Sequence, residues 1–257
     1  MSGGPAWVAE GEGPVTFALV AGLGDPKEAW ARVVPVLTGS GARVLTVDNP
    51  GVGAAAGAGA PATIAEMAEI VGGAIGDLSS GAVHLVGHSM GGMIAQEIAV
   101  ARPDAVESLT LCCTYAEAGA YCPRLVACWR AVTRALGVPE ARRQLLPWAF
   151  TPGYFLDRPE DIAAIDGMLE KASPSEEVFL AQLDALDRHD ARGRLGALGS
   201  RATVIAAESD ILIPPDRTDL LADELPGARR ITVPGGHACF WEHPEPFGAA
   251  LLEAAGV

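Results

Sequence analysis

Basic residues are scarce in this 257-residue chain: it has 18, of which two are lysines, against 32 acidic residues. The formal net charge is −14. Charge of that sign is repelled by phosphate backbones and by anionic lipid headgroups. Neither nucleic acid nor a membrane surface is therefore expected as a partner.

Long apolar runs and an export signal are also missing. No run approaches the roughly 18 residues that indicate a membrane-spanning helix. The N-terminal MSGGPAWVAEGEGP has neither a basic start nor an apolar core, so no secretory signal is expected. Five cysteines cannot all pair with one another. We expect them to be reduced thiols in a cytoplasmic protein.

Short apolar runs rich in β-branched residues alternate with helical patterns. The alternation predicts an α/β fold with a doubly wound, mostly parallel sheet. Thr63 and Glu66 form a capping box that marks the start of one helix. The predicted strands are 15–20, 43–47, 83–86, 108–112, 202–206 and 230–233, and the predicted core helices are 28–37, 63–78, 90–101, 216–224 and 245–254.

The alternation stops in the middle of the chain. We interpret residues 115–199 as a helical lid inserted between two parts of one core, 1–114 and 200–257. Helical segments are predicted there near 121–136, 139–146, 159–171 and 174–187. The large apolar side chains of the lid that we expect to line a substrate pocket are Trp129, Trp148, Phe150, Tyr154 and Phe155.

The segment Gly-His-Ser-Met-Gly, residues 87–91, lies between a predicted strand and a predicted helix. It fits the pattern G-x-S-x-G, in which a sharp turn exposes the serine and leaves room only for glycine-sized neighbours. The N-terminus of the helix then faces the reacting centre. This context indicates a nucleophile at Ser89 rather than an idle serine in a glycine-rich turn.

A serine hydroxyl needs a base to take its proton and an acid to orient that base. In this type of fold the acid and then the histidine follow later strands. The strand at 202–206 is followed by Glu208 and Asp210, and the strand at 230–233 is followed by His237. The positions of the other histidines favour structural roles: His84, His88, His189 and His243.

Four segments together resemble the α/β-hydrolase superfamily: GHSMGGMIAQ, VDNPGVG, AESDILIPP and VPGGHACFWEHPEPF. They are most similar to the branch of lidded esterases, enol-lactonases and cofactor-free haloperoxidases. The resemblance implies Ser89 as the nucleophile, His237 as the general base and Asp210 as the acid, with Glu208 as the fallback acid. It also implies that the backbone N–H groups of Leu23 and Met90 form the oxyanion hole.

Two segments depart from the pattern of that superfamily. Its members usually carry His-Gly where this chain has Ala21-Gly22, and the histidine normally holds the loop that supplies the second oxyanion donor. Members also commonly carry Arg and Ser in a D-x-R-G-x-G-x-S stretch, which here reads DNPGVGAA over residues 48–55. We therefore expect a poorly held donor at Leu23, unless another group such as Trp30 or the Asp25-Pro26 turn anchors the loop, and a flexible Ala/Gly loop over 54–62.

Glycines at 51, 53 and 57 hint at a dinucleotide site, but the predicted helix begins at Thr63 rather than directly after them. No His, Cys or Asp cluster has the spacing of a metal site, so neither a metal nor a cofactor is expected.

The sequence predicts a serine hydrolase, monomeric or homodimeric, whose small-molecule substrate is a small to medium apolar ester, lactone or thioester. The alternative is a non-hydrolytic cyclase, lyase or acyl transferase on the same fold. A pure binding protein fits an intact triad less well.

Overall fold

A computed structural model describes residues 6–257 and contains, within them, a β-sheet of seven strands. The strands are β1 (Trp7–Glu10), β2 (Thr16–Val20), β3 (Arg43–Val47), β4 (Val83–His88), β5 (Val106–Cys112), β6 (Ala202–Ala207) and β7 (Arg229–Val233). Their order in the sheet is β1-β3-β2-β4-β5-β6-β7. β1 pairs antiparallel with β3, and the remaining pairs are parallel.

Alternate residues of the central strands face opposite sides of the sheet. In β2, Ala18 and Val20 belong to one apolar cluster, whereas Phe17 and Leu19 belong to another. Helical residues complete both clusters, which is typical of a parallel sheet buried on its two faces. The predicted doubly wound α/β fold is confirmed.

Most of the predicted helices other than 28–37 begin and end close to the predicted residues. Thr63 Oγ1 accepts the Glu66 N–H at 3.1 Å and the Thr63 N–H donates to Glu66 Oε2 at 3.2 Å, so the capping box is formed. None of the helices within residues 6–257 is long and apolar enough to cross a membrane. The α-helices are α1 (Val34–Gly39), α2 (Ile64–Leu78), α3 (Met90–Ala101), α4 (Cys122–Leu136), α5 (Val138–Ala149), α6 (Pro152–Asp157), α7 (Pro159–Ala172), α8 (Glu176–Arg188), α9 (Pro215–Asp223), α10 (Cys239–Glu242) and α11 (Pro244–Ala255).

Several local predictions are corrected by the structure. The strand pattern does not reveal β1, because its side chains are mostly exposed and it pairs along a sheet edge. The predicted helix 28–37 is divided into a 3-10 helix, Lys27–Trp30, and α1, whose first turn contains Pro35. The segment 54–62, expected to be a flexible loop, lies partly in a 3-10 helix, Gly53–Ala58. The short helices α6 and α10 are also absent from the prediction.

Residues 115–199, called the helical insertion below, connect β5 to β6 and contain α4 to α8. Trp129 of α4 and Phe179 and Leu183 of α8 belong to the same apolar cluster as Ala18 of β2 and Leu85 of β4. The insertion is therefore packed onto the sheet through a shared core.

The carboxyl ends of the parallel strands meet at one edge of the sheet, and the predicted site residues follow them. Ala21 follows β2, Ser89 follows β4, Asp210 lies three residues after β6 and His237 lies four residues after β7. This edge is the usual ligand-binding edge of an open α/β sheet. The topology alone therefore gathers residues that are up to 216 positions apart, from Ala21 to His237.

Candidate active site

Ser89 occupies the turn between β4 and α3 with φ 55° and ψ −122°. A positive φ is strained for any residue that has a Cβ, and it persists where the surroundings over-determine it. The Ser89 N–H donates to the Cys112 carbonyl at 2.9 Å, and Thr114 Oγ1 donates to the Ser89 carbonyl at 2.8 Å. These two bonds, to the last residue of β5 and to the second residue after it, hold the backbone of the turn in place.

The glycines around Ser89 are required by close backbone contacts. A Cβ on Gly87 would lie 2.3 Å from the Gly91 carbonyl oxygen, and a Cβ on Gly91 would lie 2.1 Å from the Val20 carbonyl oxygen. A Cβ on Gly92 would lie 2.6 Å from the Thr114 side chain. Bulky neighbours are absent because the turn presses β4, α3 and the end of β2 together.

Asp210 and His237 form a buried pair. His237 Nδ1 donates to Asp210 Oδ2 at 2.8 Å, while Asp210 Oδ1 accepts the N–H groups of Leu212 at 2.9 Å and Ile213 at 2.8 Å. The carboxylate is therefore held on both of its oxygens. Glu208 is exposed, so Asp210 is the acidic residue of this loop that contacts the histidine.

Ser89 and His237 line the same cavity. No hydrogen bond joins them in this structure, and among the described residues neither Ser89 Oγ nor His237 Nε2 has a hydrogen-bond partner. Bonds between catalytic groups commonly tighten only when a substrate is bound. With Nδ1 bonded to Asp210, Nε2 is the ring atom of His237 that is left to bond another group in the cavity.

His88 is fully buried directly behind His237. Its Nε2 donates to the His237 carbonyl at 2.8 Å, because a carbonyl oxygen can only accept. Burial, with the charge of nearby His237 as the second cause, holds the pKa of His88 well below its usual value. His88 is therefore a neutral support for the backbone of His237.

The tertiary structure also brings the thiol of Cys113 close to His88 and His237. The sulfur of Cys113, one ring nitrogen of His88 and one ring nitrogen of His237 all lie within 4.8 Å of one another. The hydrogen bond to Cys239 and then burial raise the pKa of the Cys113 thiol well above its usual value, so the thiol stays neutral. Since metal ligation needs a thiolate and one nitrogen of each histidine is already engaged, the group is a poor metal site.

The predicted oxyanion donors flank Ser89. The Leu23 N–H makes no hydrogen bond to any atom of residues 6–257. Met90 is the first residue of α3, where N–H groups have no partner within their own helix. Both N–H groups are therefore unpaired within the part of the chain that the structure describes, as an oxyanion hole requires.

The loop over residues 21–27, called loop 21–27 below, is firmly held, which corrects the expectation of a poorly fixed donor. Asn49 Nδ2 donates to the Ala21 carbonyl at 2.8 Å. Asp48 Oδ1 accepts the Lys27 N–H at 2.7 Å, and Asp48 Oδ2 accepts Lys27 Nζ at 3.0 Å. The segment after β3 therefore carries polar anchors of its own, although it lacks the Arg and Ser of the resembled pattern.

The site opens into a cavity of about 820 Å³ between the sheet edge and the helical insertion. Of the aromatic residues predicted to line it, Trp129 and Phe150 do so. The other three are corrected: Trp148 is 37% exposed, Tyr154 hydrogen-bonds Asp161 through its hydroxyl, and Phe155 packs edge-on against Phe150. The lining residues that the sequence did not single out include Asp25, Leu125, Arg142, Met168, Phe240 and Trp241.

A sequence model described as the alpha/beta hydrolase family matches residues 17–250. The chain belongs to this family. The match spans β2 to α11 and therefore includes every residue of the site described above. Membership agrees with the seven-stranded sheet and with the resemblance seen in the sequence.

Individual relatives in the alpha/beta hydrolase family are distant but cover nearly the whole chain. "Putative carbamate hydrolase RutD" of Azorhizobium caulinodans is 28% identical over 93% of this chain and 90% of its own length. The enol-lactonase of Burkholderia xenovorans is 25% identical, with a TM-score of 0.87 over 98% of this chain and 96% of that one. A thermophilic esterase of Thermogutta terrifontis is 26% identical, with a TM-score of 0.83 over 96% of this chain and 91% of that one.

Proposed function

We propose that this member of the family is a serine hydrolase that cleaves small to medium apolar esters, lactones or thioesters through an acyl-enzyme. The observation that carries the proposal is the joint exposure of Ser89 and His237 to one apolar cavity, with His237 held by Asp210 at 2.8 Å. A strained serine, an oriented histidine and two free N–H groups are the parts that acyl transfer needs.

In the proposed reaction Ser89 Oγ attacks the substrate carbonyl and His237 Nε2 takes its proton. Asp210 holds the imidazole in the correct tautomer and stabilises its charged form. The N–H groups of Leu23 and Met90 bind the developing oxyanion. His237 then protonates the leaving alcohol or thiol, and a water activated by the same histidine releases the acid from Ser89.

The cavity supports an apolar substrate of moderate size. Pockets of ~300–1,000 Å³ hold drug-sized ligands, and the volume here lies in the upper part of that range. Leu125, Trp129, Leu146, Phe150 and Ile165 supply much of the apolar wall. Four of the five belong to the cavity side of α4 and α5 or the turn after them, so we propose that the helical insertion acts as the lid of this pocket.

Carbamate cleavage is the second candidate, because the named relatives include carbamate hydrolases. A carbamate carbonyl is open to the same attack by Ser89. The volume and apolar lining of the cavity favour a substrate larger than a simple carbamate.

We also propose a cytoplasmic location. All five cysteines are free thiols in the structure, which supports this location.

The test compares wild-type protein with Ser89→Ala and with Ser80→Ala, an exposed serine outside the cavity. Substrates are p-nitrophenyl esters from acetate to dodecanoate and p-nitrophenyl N-butylcarbamate. Intact-mass analysis after treatment with a fluorophosphonate probe reports on serine activation. We expect turnover of medium-chain esters and one adduct in wild type and Ser80→Ala, and neither in Ser89→Ala.

Absence of both turnover and adduct in folded wild-type protein would overturn the proposal, provided that a control hydrolase is labelled in parallel. Turnover of the carbamate in preference to every ester would replace the ester proposal with the second candidate. Equal turnover in wild type and Ser89→Ala would remove Ser89 from the reaction.

A further inference from the structure

Two side chains of the helical insertion contact loop 21–27 directly. Gln182 of α8 is 1% exposed, and its Oε1 accepts the Gly24 N–H at 2.9 Å. Its Nε2 has no hydrogen-bond partner among the described residues. This buried amide therefore makes one hydrogen bond, and that bond is to the backbone next to Leu23.

Arg142 of α5 makes the second contact. Its Nη2 donates to Asp25 Oδ1 at 2.7 Å, and the arginine is 5% exposed. The ring of Phe179 and the Arg142 Nε also enclose Gly24, since a Cβ there would lie 3.1 Å from Phe179 Cε2 and 3.4 Å from Arg142 Nε. Gly24 and Asp25, the two residues after Leu23, are thus held by the insertion, whereas Lys27 at the end of the loop is held by Asp48 of the core.

Leu23 is therefore flanked by anchors from two different parts of the molecule. On one side, Asn49 of the core binds the Ala21 carbonyl. On the other side, Gln182 and Arg142 bind Gly24 and Asp25. The Leu23 N–H lies in the plane of the Gly22–Leu23 peptide bond, so its direction is set by the backbone on the two sides of that bond.

The insertion also holds the segment that carries His237. Glu242 Oε1 accepts the N–H groups of Gly236 and Thr151, both at 3.0 Å, and the Ala238 N–H donates to the Ala149 carbonyl at 2.8 Å. Ala149 ends α5 and Thr151 caps α6. Loop 21–27 and the segment that carries His237 are therefore both bonded to the insertion.

We propose that Gln182 and Arg142 are positioning residues, which aim the Leu23 N–H at the oxyanion so that the hole is complete only when the insertion is docked. This inference rests on the proposed function. It goes beyond it by making the insertion part of the catalytic apparatus as well as a wall of the pocket. Gln182 acts on the loop through the Gly24 N–H, and Arg142, which also lines the cavity, acts on it through the Asp25 carboxylate.

A poorly aimed oxyanion donor affects the transition state more than the bound substrate, since the donor acts on charge that develops during the reaction. Loss of either anchor should therefore lower kcat and leave KM nearly unchanged. A trifluoromethyl ketone, which forms a tetrahedral oxyanion adduct with an active serine, should lose affinity by a factor similar to the loss in kcat. These two readouts separate positioning from a merely structural role.

The experiment uses Gln182→Met, which keeps the side-chain length and removes the acceptor, and Arg142→Met, which removes the ion pair. The control variants are Gln144→Met and Arg143→Met, which change neighbouring side chains of α5 that contact Glu140 and lie outside the cavity lining. Gln182→Glu is the conservative variant, because a carboxyl oxygen can still accept the Gly24 N–H. Kinetics use p-nitrophenyl butyrate, and hydrogen exchange by mass spectrometry follows peptides that cover loop 21–27.

We expect kcat to fall about 10- to 100-fold in Gln182→Met and Arg142→Met, less than the full loss of one donor, with KM changed by no more than about two-fold. Exchange in loop 21–27 should rise in both variants. Gln182→Glu should recover most of kcat, and the two control variants should match wild type in every readout.

Unchanged kcat in variants whose loop exchanges faster would overturn the inference, because the anchors would then be structural only. A loss confined to KM would overturn it as well. If wild-type protein hydrolyses no ester, the proposed function fails on its own account. Hydrogen exchange then remains as the test of the two anchors. Unchanged protection of loop 21–27 in both variants would show that the insertion does not hold the loop.

Discussion

The side-chain amide of Asn49 donates to the carbonyl oxygen of Ala21 at 2.8 Å, joining the segment after β3 to the loop after β2. Asn49 is fully buried, and Ala21 is buried in the apolar cluster that contains Trp30. In the resembled superfamily a histidine at the position of Ala21 holds this loop. Here a partner 28 residues further along the chain holds it instead.

Restoring the histidine should therefore not improve the enzyme. Ala21→His places a larger side chain in a filled site, which costs ~1–3 kcal/mol of stability. We expect a lower melting temperature and no rise in kcat on p-nitrophenyl butyrate. Ala58→His, on an exposed position, is the control for the histidine itself. A higher kcat at an unchanged melting temperature would show that the bond from Asn49 does not fully fix loop 21–27.

Replacement of His237 should remove nearly all activity. His237→Ala deletes the group proposed to take the Ser89 proton, and loss of a triad member costs roughly 10⁴-fold or more in rate. His189→Gln serves as the control, because His189 is buried against Gln96 and does not line the cavity. The assignment is wrong if His237→Ala keeps more than about a tenth of the wild-type kcat.

The two acidic residues after β6 should differ sharply in their effect. Asp210→Asn keeps the shape of the side chain but removes the charge that faces His237 Nδ1, and a change of this kind lowers kcat by about 10⁴-fold in a serine triad. Glu208→Gln, on an exposed carboxylate, should leave kcat within about two-fold of wild type. The reverse order of effects would make Glu208 the functional acid.

Acid should destabilise the fold through His189. Burial lowers the pKa of His189 to about 4, and the Glu97 carboxylate offsets part of that effect. As the pH falls below the ordinary histidine value of 6.5, the unfolded chain binds a proton that the folded chain does not bind, so stability decreases. Between about pH 6.5 and about pH 4 this group accounts for about 3 kcal/mol of lost stability.

His189→Gln should reduce that loss. The free energy of unfolding, measured in urea near pH 7 and again near pH 4.5, should change by about 2–3 kcal/mol less in the variant than in wild type. His88, whose pKa is also lowered by burial, continues to contribute in both proteins. Identical pH dependence in the two proteins would show that His189 is protonated without cost in the fold.

Much of the site follows from local patterns. The turn at Ser89 could be predicted because its causes lie within a few residues: an apolar strand, glycines on both sides and a largely apolar helix. The approach of Asp210 and His237 to Ser89 could be predicted because the carboxyl ends of parallel strands share an edge. The α4, α5, α7 and α8 segments also follow from helical periodicity, but not their packing onto the sheet.

The sequence by itself determined the fold class, the strained serine and the edge of the sheet to which the acid and the histidine are carried. Each of these depends on periodicity, on turn sterics or on the direction of parallel strands, which are encoded locally. Only the tertiary structure decided what holds loop 21–27 and which aromatic side chains face the cavity. The bonds of Ala21 to Asn49, Asp25 to Arg142 and Gly24 to Gln182 span 28, 117 and 158 residues. The first exists because the segments after β2 and β3 meet at the sheet edge, and the other two because the insertion packs onto that edge. The packing of distant segments leaves no periodic signal in the chain.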